Sequence, residues 1–333
     1  MSFELILPFL RPIEPLLMDD TVSEIMGNPD GVWWYERAGT LAHAASVRFE
    51  AKALRTGLEV IANHLGKHFD EEHPLLNAQL PDGSRLAAVL PPVVRPGPSV
   101  TIRKFAKVQY TLEDLIFHFT LTDMMADFLR EQIVDGKTIL ISGATSSGKT
   151  TLLNALADVI PDQERIVVIE DTRELRIRKP NVLSAECQAE TFGGKVDFAT
   201  LLKGALRWRP DRIILGEVRG EEARTLLDSF NTGHGGSLAT IHANSPAKAL
   251  RRFCELAMRS HQQSARDDIA AEIADSVEYV IQVSRTHHGR QVTQIAHVLG
   301  FSRERKCFEL ETVFPTLNES SISPAKEIFH ATH

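Results

Sequence analysis

Through the middle of the chain, short and almost unbroken apolar runs alternate with stretches of helical pattern. TILIS (138–142), RIVVIE (165–170), RIILG (212–216) and SLATIHA (237–243) read as strands. TTLLNALADV (150–159), FATLLKGALRW (198–208), EEARTLLDSF (221–230) and PAKALRRFCELAMRS (246–260) read as helices. Apolar strands separated by crossover helices are the signature of a parallel sheet. Ser245 and Pro246 give the last of these helices an N-cap and a first-turn proline. After Ser276 the rhythm changes: two alternating strands around HHGR (287–290) and a third near CFELETVF (307–314) predict a small antiparallel β segment.

Upstream, VSEIM (22–26), the turn GNPDG and the aromatic run VWWYE (32–36) predict a hairpin, in which adjacent Trp33 and Trp34 must face opposite sides. A helical stretch follows over 50–67. Pro81, Asp82 and Gly83 make a turn before RLAAVL (85–90), and the proline-rich VLPPVVRPGP leads to a further strand, SVTIRKF (99–105). Thr111 with Asp114 three residues on resembles a helix N-cap, opening LEDLIFHF (112–119). The organisation expected is an α+β domain over 1–105, a linker at 106–110, an α/β domain over 111–317 and a frayed polar tail at 318–333.

Composition narrows the setting. A chain of 333 residues exceeds what one core usually serves, which agrees with two domains. With 43% apolar and 24% charged residues and no apolar run long enough to span a bilayer, the expectation is a soluble protein. The opening MSFELILPFLRP lacks a basic leader and a small-residue cleavage site, so it does not read as a secretory signal. Cys187, Cys254 and Cys307 are scattered and odd in number, supporting neither a disulfide framework nor a CxxC zinc site; the expected compartment is the cytosol. A net charge of -7 argues against direct nucleic-acid binding.

The chemistry begins at GATSSGKT (143–150), which fits G-x-x-x-x-G-K-[ST] with a strand before it and a helix after it. Gly143 and Gly148 would let the backbone curl so that the N–H groups of Ala144, Thr145, Ser146, Ser147 and the following Lys149, Thr150 and Thr151 surround phosphate oxygens at a helix N-terminus. Lys149 would reach the β- and γ-phosphates, and the Thr150 hydroxyl would ligate Mg²⁺. A glycine-rich turn that merely caps a helix is the alternative. Hydrolysis also needs carboxylates. Glu170 and Asp171 end one predicted strand and Glu217 another, and strand carboxyl ends are where such sheets gather their ligand site; solvated strand-end charges are the bland reading. His234 and His242, eight residues apart with no third ligand at fixed spacing, make a poor metal pair.

Taken in order and spacing, GATSSGKT, IEDTREL, RPDRIILGEVRG and GHGGSLATIHANS resemble the four sequence boxes of the secretion ATPases that drive type IV secretion, type II secretion and type IV pili. PDGSRLAAVLPP and SVTIRKF resemble the phosphate-reaching segment of that family's N-terminal domain, and the IEDT box and TIHANSP are most similar to the conjugal-transfer (TrbB-type) group. The resemblance implies a PAS-like N-terminal domain, a RecA-like P-loop NTPase domain, and a homohexamer with ATP between the two domains of each subunit. It implies Glu170 as catalytic base and Glu217 as the second acidic group, near the metal partly through water. His234 and His242 fall in its histidine box, as candidate nucleotide-sensing groups, and Arg85 and Arg103 would bring positive charge to the γ-phosphate. A guanidinium there would stabilise the transition state on general grounds; Arg95 is a weaker candidate. The implied setting is the cytoplasmic side of the bacterial inner membrane, reached through inner-membrane partner subunits. A pilus extension or retraction motor, a type II secretion motor, a RecA-like DNA motor and a nucleotide-binding scaffold remain alternatives.

Overall fold

The computed structural model describes residues 3–37, 39–105, 109–188, 196–231, 233–260 and 265–314. The expected tail and residues 106–108 of the expected linker lie outside them. The chain divides into two compact units, one formed by Met1–Val108 with Thr172–Glu174 and the other by Gln109–Asp171 with Leu175–His333.

The first unit is built on a six-stranded antiparallel sheet. Its strands are β1 (Val22–Gly27), β2 (Trp33–Arg37), β3 (Thr40–His43), β4 (Leu75–Gln79), β5 (Arg85–Val89) and β6 (Ser99–Arg103), in the order β3-β2-β1-β6-β5-β4. Helices α1 (Glu14–Met18) and α2 (Ala51–His64) accompany the sheet. The opening segment supplies core: Ile6, Leu10 and Ile13 are fully buried beside Leu58, Ile61 and Ile102. Its backbone is 3₁₀ rather than α over Leu7–Ile13, with Pro8 and Pro12 withholding the amide donors that a regular helix would use. Trp33 is buried and stacked on Phe49 while Trp34 faces outward, the opposition that strand alternation demands.

The second unit opens with α3 (Leu112–Phe117), whose Thr111–Asp114 capping box forms as the spacing predicts. Then come α4 (Asp123–Val134), β7 (Ile139–Gly143), α5 (Lys149–Ala157), β8 (Ile166–Glu170), β9 (Val182–Glu186), α6 (Phe198–Ala205), β10 (Arg212–Val218), α7 (Glu222–Asn231), β11 (Leu238–Ile241), α8 (Pro246–Ala257), α9 (Arg266–Ser276), β12 (Tyr279–Thr286), β13 (Gly289–Ser302) and β14 (Cys307–Phe314). One eight-stranded sheet holds all of these strands, in the order β14-β13-β12-β7-β11-β10-β8-β9. It is parallel from β12 to β9 and antiparallel from β12 to β14. The expected antiparallel segment is present and extends the main sheet, because β12 pairs with β7.

The continuous apolar runs have a plain cause. Ile139 and Ile141 join a core with Leu115, Leu129 and Leu152, whereas Leu140 points to the other face and joins Leu226, Leu250 and Phe253. Helices cover both faces, so β7, β8 and β11 are buried throughout, as is the first half of β10, each large aliphatic side chain contributing about 1.5–3 kcal/mol. That two-sided packing fixes β7, β8, β10 and β11 in parallel, with their carboxyl ends along one edge.

Candidate active site

The loop between β7 and α5 is shaped by two glycines. A Cβ at Gly143 would lie 2.4 Å from both Ser147 Oγ and Val283 O, so no side chain fits there. Gly148 has φ +101°, and Ser146 also lies in the left-handed region at +59°. The curl brings the start of α5 toward the loop, where helix amides attract anions. Ser147 is buried, and its hydroxyl has no hydrogen-bond partner among the described residues. A buried, partnerless hydroxyl is costly on its own and is suited to a phosphate oxygen. Lys149, also buried, donates from Nζ to Gly143 O at 3.0 Å and Ala144 O at 2.8 Å. Thr150 and Thr151 follow it, half-buried, in the first turn of α5.

Three further candidates stand along the same edge. Glu170, the last residue of β8, is buried and accepts from Leu175 N at 2.9 Å. The pairing of β10 with β11 is irregular between Leu215 and Val218, and bulges of this kind re-aim side chains. There Gly216 leaves room for Glu170, whose Cγ would be 3.2 Å from an added Cβ, and Glu217 turns to His242, Oε1 to Nε2 3.3 Å. His242 Nδ1 lies 3.5 Å from Lys149 Nζ. An ammonium has only donors, so Nδ1 accepts, the ring proton sits on Nε2, and Nε2–H donates to Glu217. Burial, then the Lys149 charge, hold His242 below its usual value against the opposing pull of Glu217. Asp171, next to Glu170, is engaged elsewhere: it pairs with Arg219 at 2.6 Å, whose guanidinium lies over the Phe198 ring.

His234 does not join this group. It precedes β11, and the parallel register of β11 with β7 places it at the amino-terminal edge, opposite the loop. Its backbone N–H and Nδ1 both meet Ser229 O, at 3.4 and 3.3 Å. The cause is the strand itself: residues 238–241 span the sheet between the two histidines, which also removes any metal shared by them. Among the described residues, no three His, Cys, Asp or Glu side chains gather as metal ligands. In the first unit Arg85 and Arg103 are direct cross-strand partners, with Glu24 opposite Arg103 and Arg85 paired to Glu174 at 2.9 Å. Opposed like charges disfavour a sheet unless an anion screens them. One contact on the loop had no sequence signal, because its partner is 144 residues away: Arg290 Nε donates to Ser146 O at 3.1 Å.

Comparison with known proteins decides what kind of protein carries this edge. The family model described as type II/IV secretion system protein matches residues 10–312. The chain belongs to that family. Membership makes it a nucleotide-binding ATPase of the secretion class. Family relatives include the conjugal transfer protein TrbB of Rhizobium radiobacter, 39% identical over 290 residues and covering 86% of each chain. The type IV secretion system protein PtlH of Bordetella pertussis is 34% identical over 302 residues, 83% of this chain and 89% of its own. The X-ray structure of the Legionella pneumophila ATPase DotB shares the fold, with a TM-score of 0.61 at 20% identity over 92% of this chain and 83% of that one. Among the described residues no helix is long and apolar enough to cross a membrane.

Proposed function

We propose that this family member hydrolyses ATP to ADP and phosphate and passes the resulting movement to a type IV secretion or conjugation machine at the bacterial inner membrane. The observation that carries the reading is the convergence of Lys149, His242, Glu217 and Glu170 beside a loop that demands glycine at 143 and buries the Ser147 hydroxyl, which has no hydrogen-bond partner among the described residues. The similarity to a conjugal transfer protein over most of both chains favours a conjugation-type machine.

In this reading Lys149 exchanges its loop carbonyls for the β- and γ-phosphates, and the loop amides from Ala144 onward hold the β-phosphate. The Thr150 hydroxyl and, through water, Glu217 would hold Mg²⁺, which would neutralise charge on the bridging phosphate oxygens. Glu170, oriented by its bond to the Leu175 amide, positions the water that attacks the γ-phosphorus and accepts its proton as ADP leaves. His242 links the phosphate-binding lysine to Glu217 and so registers what occupies the loop. Arg85 and Arg103 contribute the cationic charge of the first unit. The assembly proposed is a homohexamer, cytoplasmic and attached to the membrane through partner subunits.

Replacing Lys149 with Ala tests the site. ATP turnover should fall at least about a hundredfold, the scale for losing one preorganised charge-stabilising group, with the circular dichroism spectrum unchanged. Undiminished turnover in Lys149→Ala rejects the assignment.

A further inference from the structure

Arg290 stands at the second position of β13, immediately after Gly289, whose φ of +113° closes the hairpin with β12. Its Nε–H donates to the Ser146 carbonyl at 3.1 Å, and its side chain crosses Gly148, where an added Cβ would lie 3.2 Å from Cδ. The other strand of the hairpin, β12, pairs in parallel with β7, setting Val283 beside Gly143 at the start of the loop. The arginine and the strand that feeds the loop therefore hang from one frame.

A loop that turns its amides inward to a phosphate must turn carbonyls outward. Ser146 does this with a left-handed φ of +59°, a conformation disfavoured for a residue with a side chain and persistent only where its surroundings impose it. The guanidinium holds the outward carbonyl of that residue, and the aliphatic stem closes over the glycine two positions on. We infer that Arg290 is a further positioning residue of the nucleotide site, fastening residues 146–148 to the β12–β13 hairpin in the curl that phosphate requires. The inference rests on the nucleotide reading of the loop. It makes a distinctive demand: since the arginine shapes the part of the loop that meets the β-phosphate, its loss must weaken ADP and ATP alike.

Full-length wild type, Arg290→Met and Arg290→Lys are compared by titration with mant-ADP and mant-ATP and by steady-state hydrolysis. In Arg290→Met the Kd for both nucleotides and the KM for ATP should rise about five- to tenfold, the low end for a charge-assisted hydrogen bond because the group is exposed, with kcat held within about twofold. Arg290→Lys, which keeps a cationic donor of similar reach, should restore binding to within about twofold of wild type. Unchanged binding in Arg290→Met overturns the inference. So does a loss confined to ATP, or a Lys variant as impaired as the Met variant, either of which would make the guanidinium a nucleotide contact instead. Should Arg290→Met fail to fold, Arg290→Gln is read against the same outcomes. Wild type binding neither nucleotide sinks the nucleotide reading itself, before any variant is compared.

Discussion

His242 stands between a cation and an anion, and its protonation is therefore tied to both. Burial and the Lys149 ammonium lower its pKa in the folded protein, whereas the unfolded chain titrates near the ordinary histidine value of about 6.5. The unfolded state thus binds the proton more readily. The contribution of neutral His242 to stability is complete above about pH 6.5 and is lost as pH falls through the lower, folded-state value. Without nucleotide, the unfolding midpoint of wild type should fall on acidification more steeply than that of His242→Gln, and equal slopes in the two would discount the His242 contribution. Binding of nucleotide without Mg²⁺, in the presence of a chelator, should act in the opposite sense: phosphates that neutralise Lys149 remove one depressing cause while the pull of Glu217 stays, so His242 takes up protons on binding near pH 6. Calorimetry in buffers of different ionisation heat reads that uptake as a wild-type excess over His242→Gln. Much at this scale was legible in the residues, because Gly143, Gly148 and Lys149 are set by local backbone chemistry at fixed spacing. His234 was not, since sequence adjacency hides that a strand crossing the sheet carries its two ends to opposite edges. Arg290 was not either: a side chain arriving from the other end of the unit leaves no local pattern.

At the scale of elements, what could be read from the chain depended on burial. β7, β8 and β11 are buried throughout their length, as is the first half of β10, so their sequences are apolar runs that nothing but a two-sided sheet explains. β9 closes the sheet with a half-exposed VLSAE, and β3 is a four-residue edge with an exposed TLAH, too short and too polar to stand out. Helix α4 carries a readable face, with Met125, Ala126, Leu129 and Ile133 buried, and its N-cap Thr122 accepts from Met125 N at 3.2 Å; it lay outside the predicted elements although its periodicity was present. The hydroxyl-capped helix starts agree with their sequences most closely. Thr111 both accepts from Asp114 N at 3.2 Å and receives the Asp114 carboxylate on its own amide at 2.8 Å. Thr111→Ala should therefore cost about 0.5–2 kcal/mol, measured as a lowered urea midpoint. Because the cap lies at the start of α3 and not at the phosphate loop, nucleotide affinity should be unchanged; a loss of affinity matching the loss of stability would show that this helix supports the loop directly.

At the scale of the whole molecule, the nucleotide loop and its acidic edge lie within one of the two compact units, and a ligand that binds only folded protein stabilises the unit that holds it. The gain follows RT ln(1 + [L]/Kd), about 2.7 kcal/mol at a nucleotide concentration about a hundred times Kd. Spread over the unfolding entropy of a unit of this size, that amounts to a rise of several degrees, on the order of 2–4 °C per kcal/mol. Lys149→Ala should lose most of that rise, measured from the variant's own nucleotide-free midpoint, because without phosphate the lysine is held by two loop carbonyls and lies beside His242. Assembly adds a second dependence that ligand binding alone cannot imitate. If protomers form the proposed hexamer on binding a nonhydrolysable ATP analogue, the midpoint must rise with protein concentration, since association stabilises folded chains by mass action, and the mass from light scattering must step up at the same analogue concentration. A midpoint that rises with analogue but stays flat over a wide range of protein concentration, with the mass fixed at one protomer, would leave a nucleotide-binding ATPase without the ring.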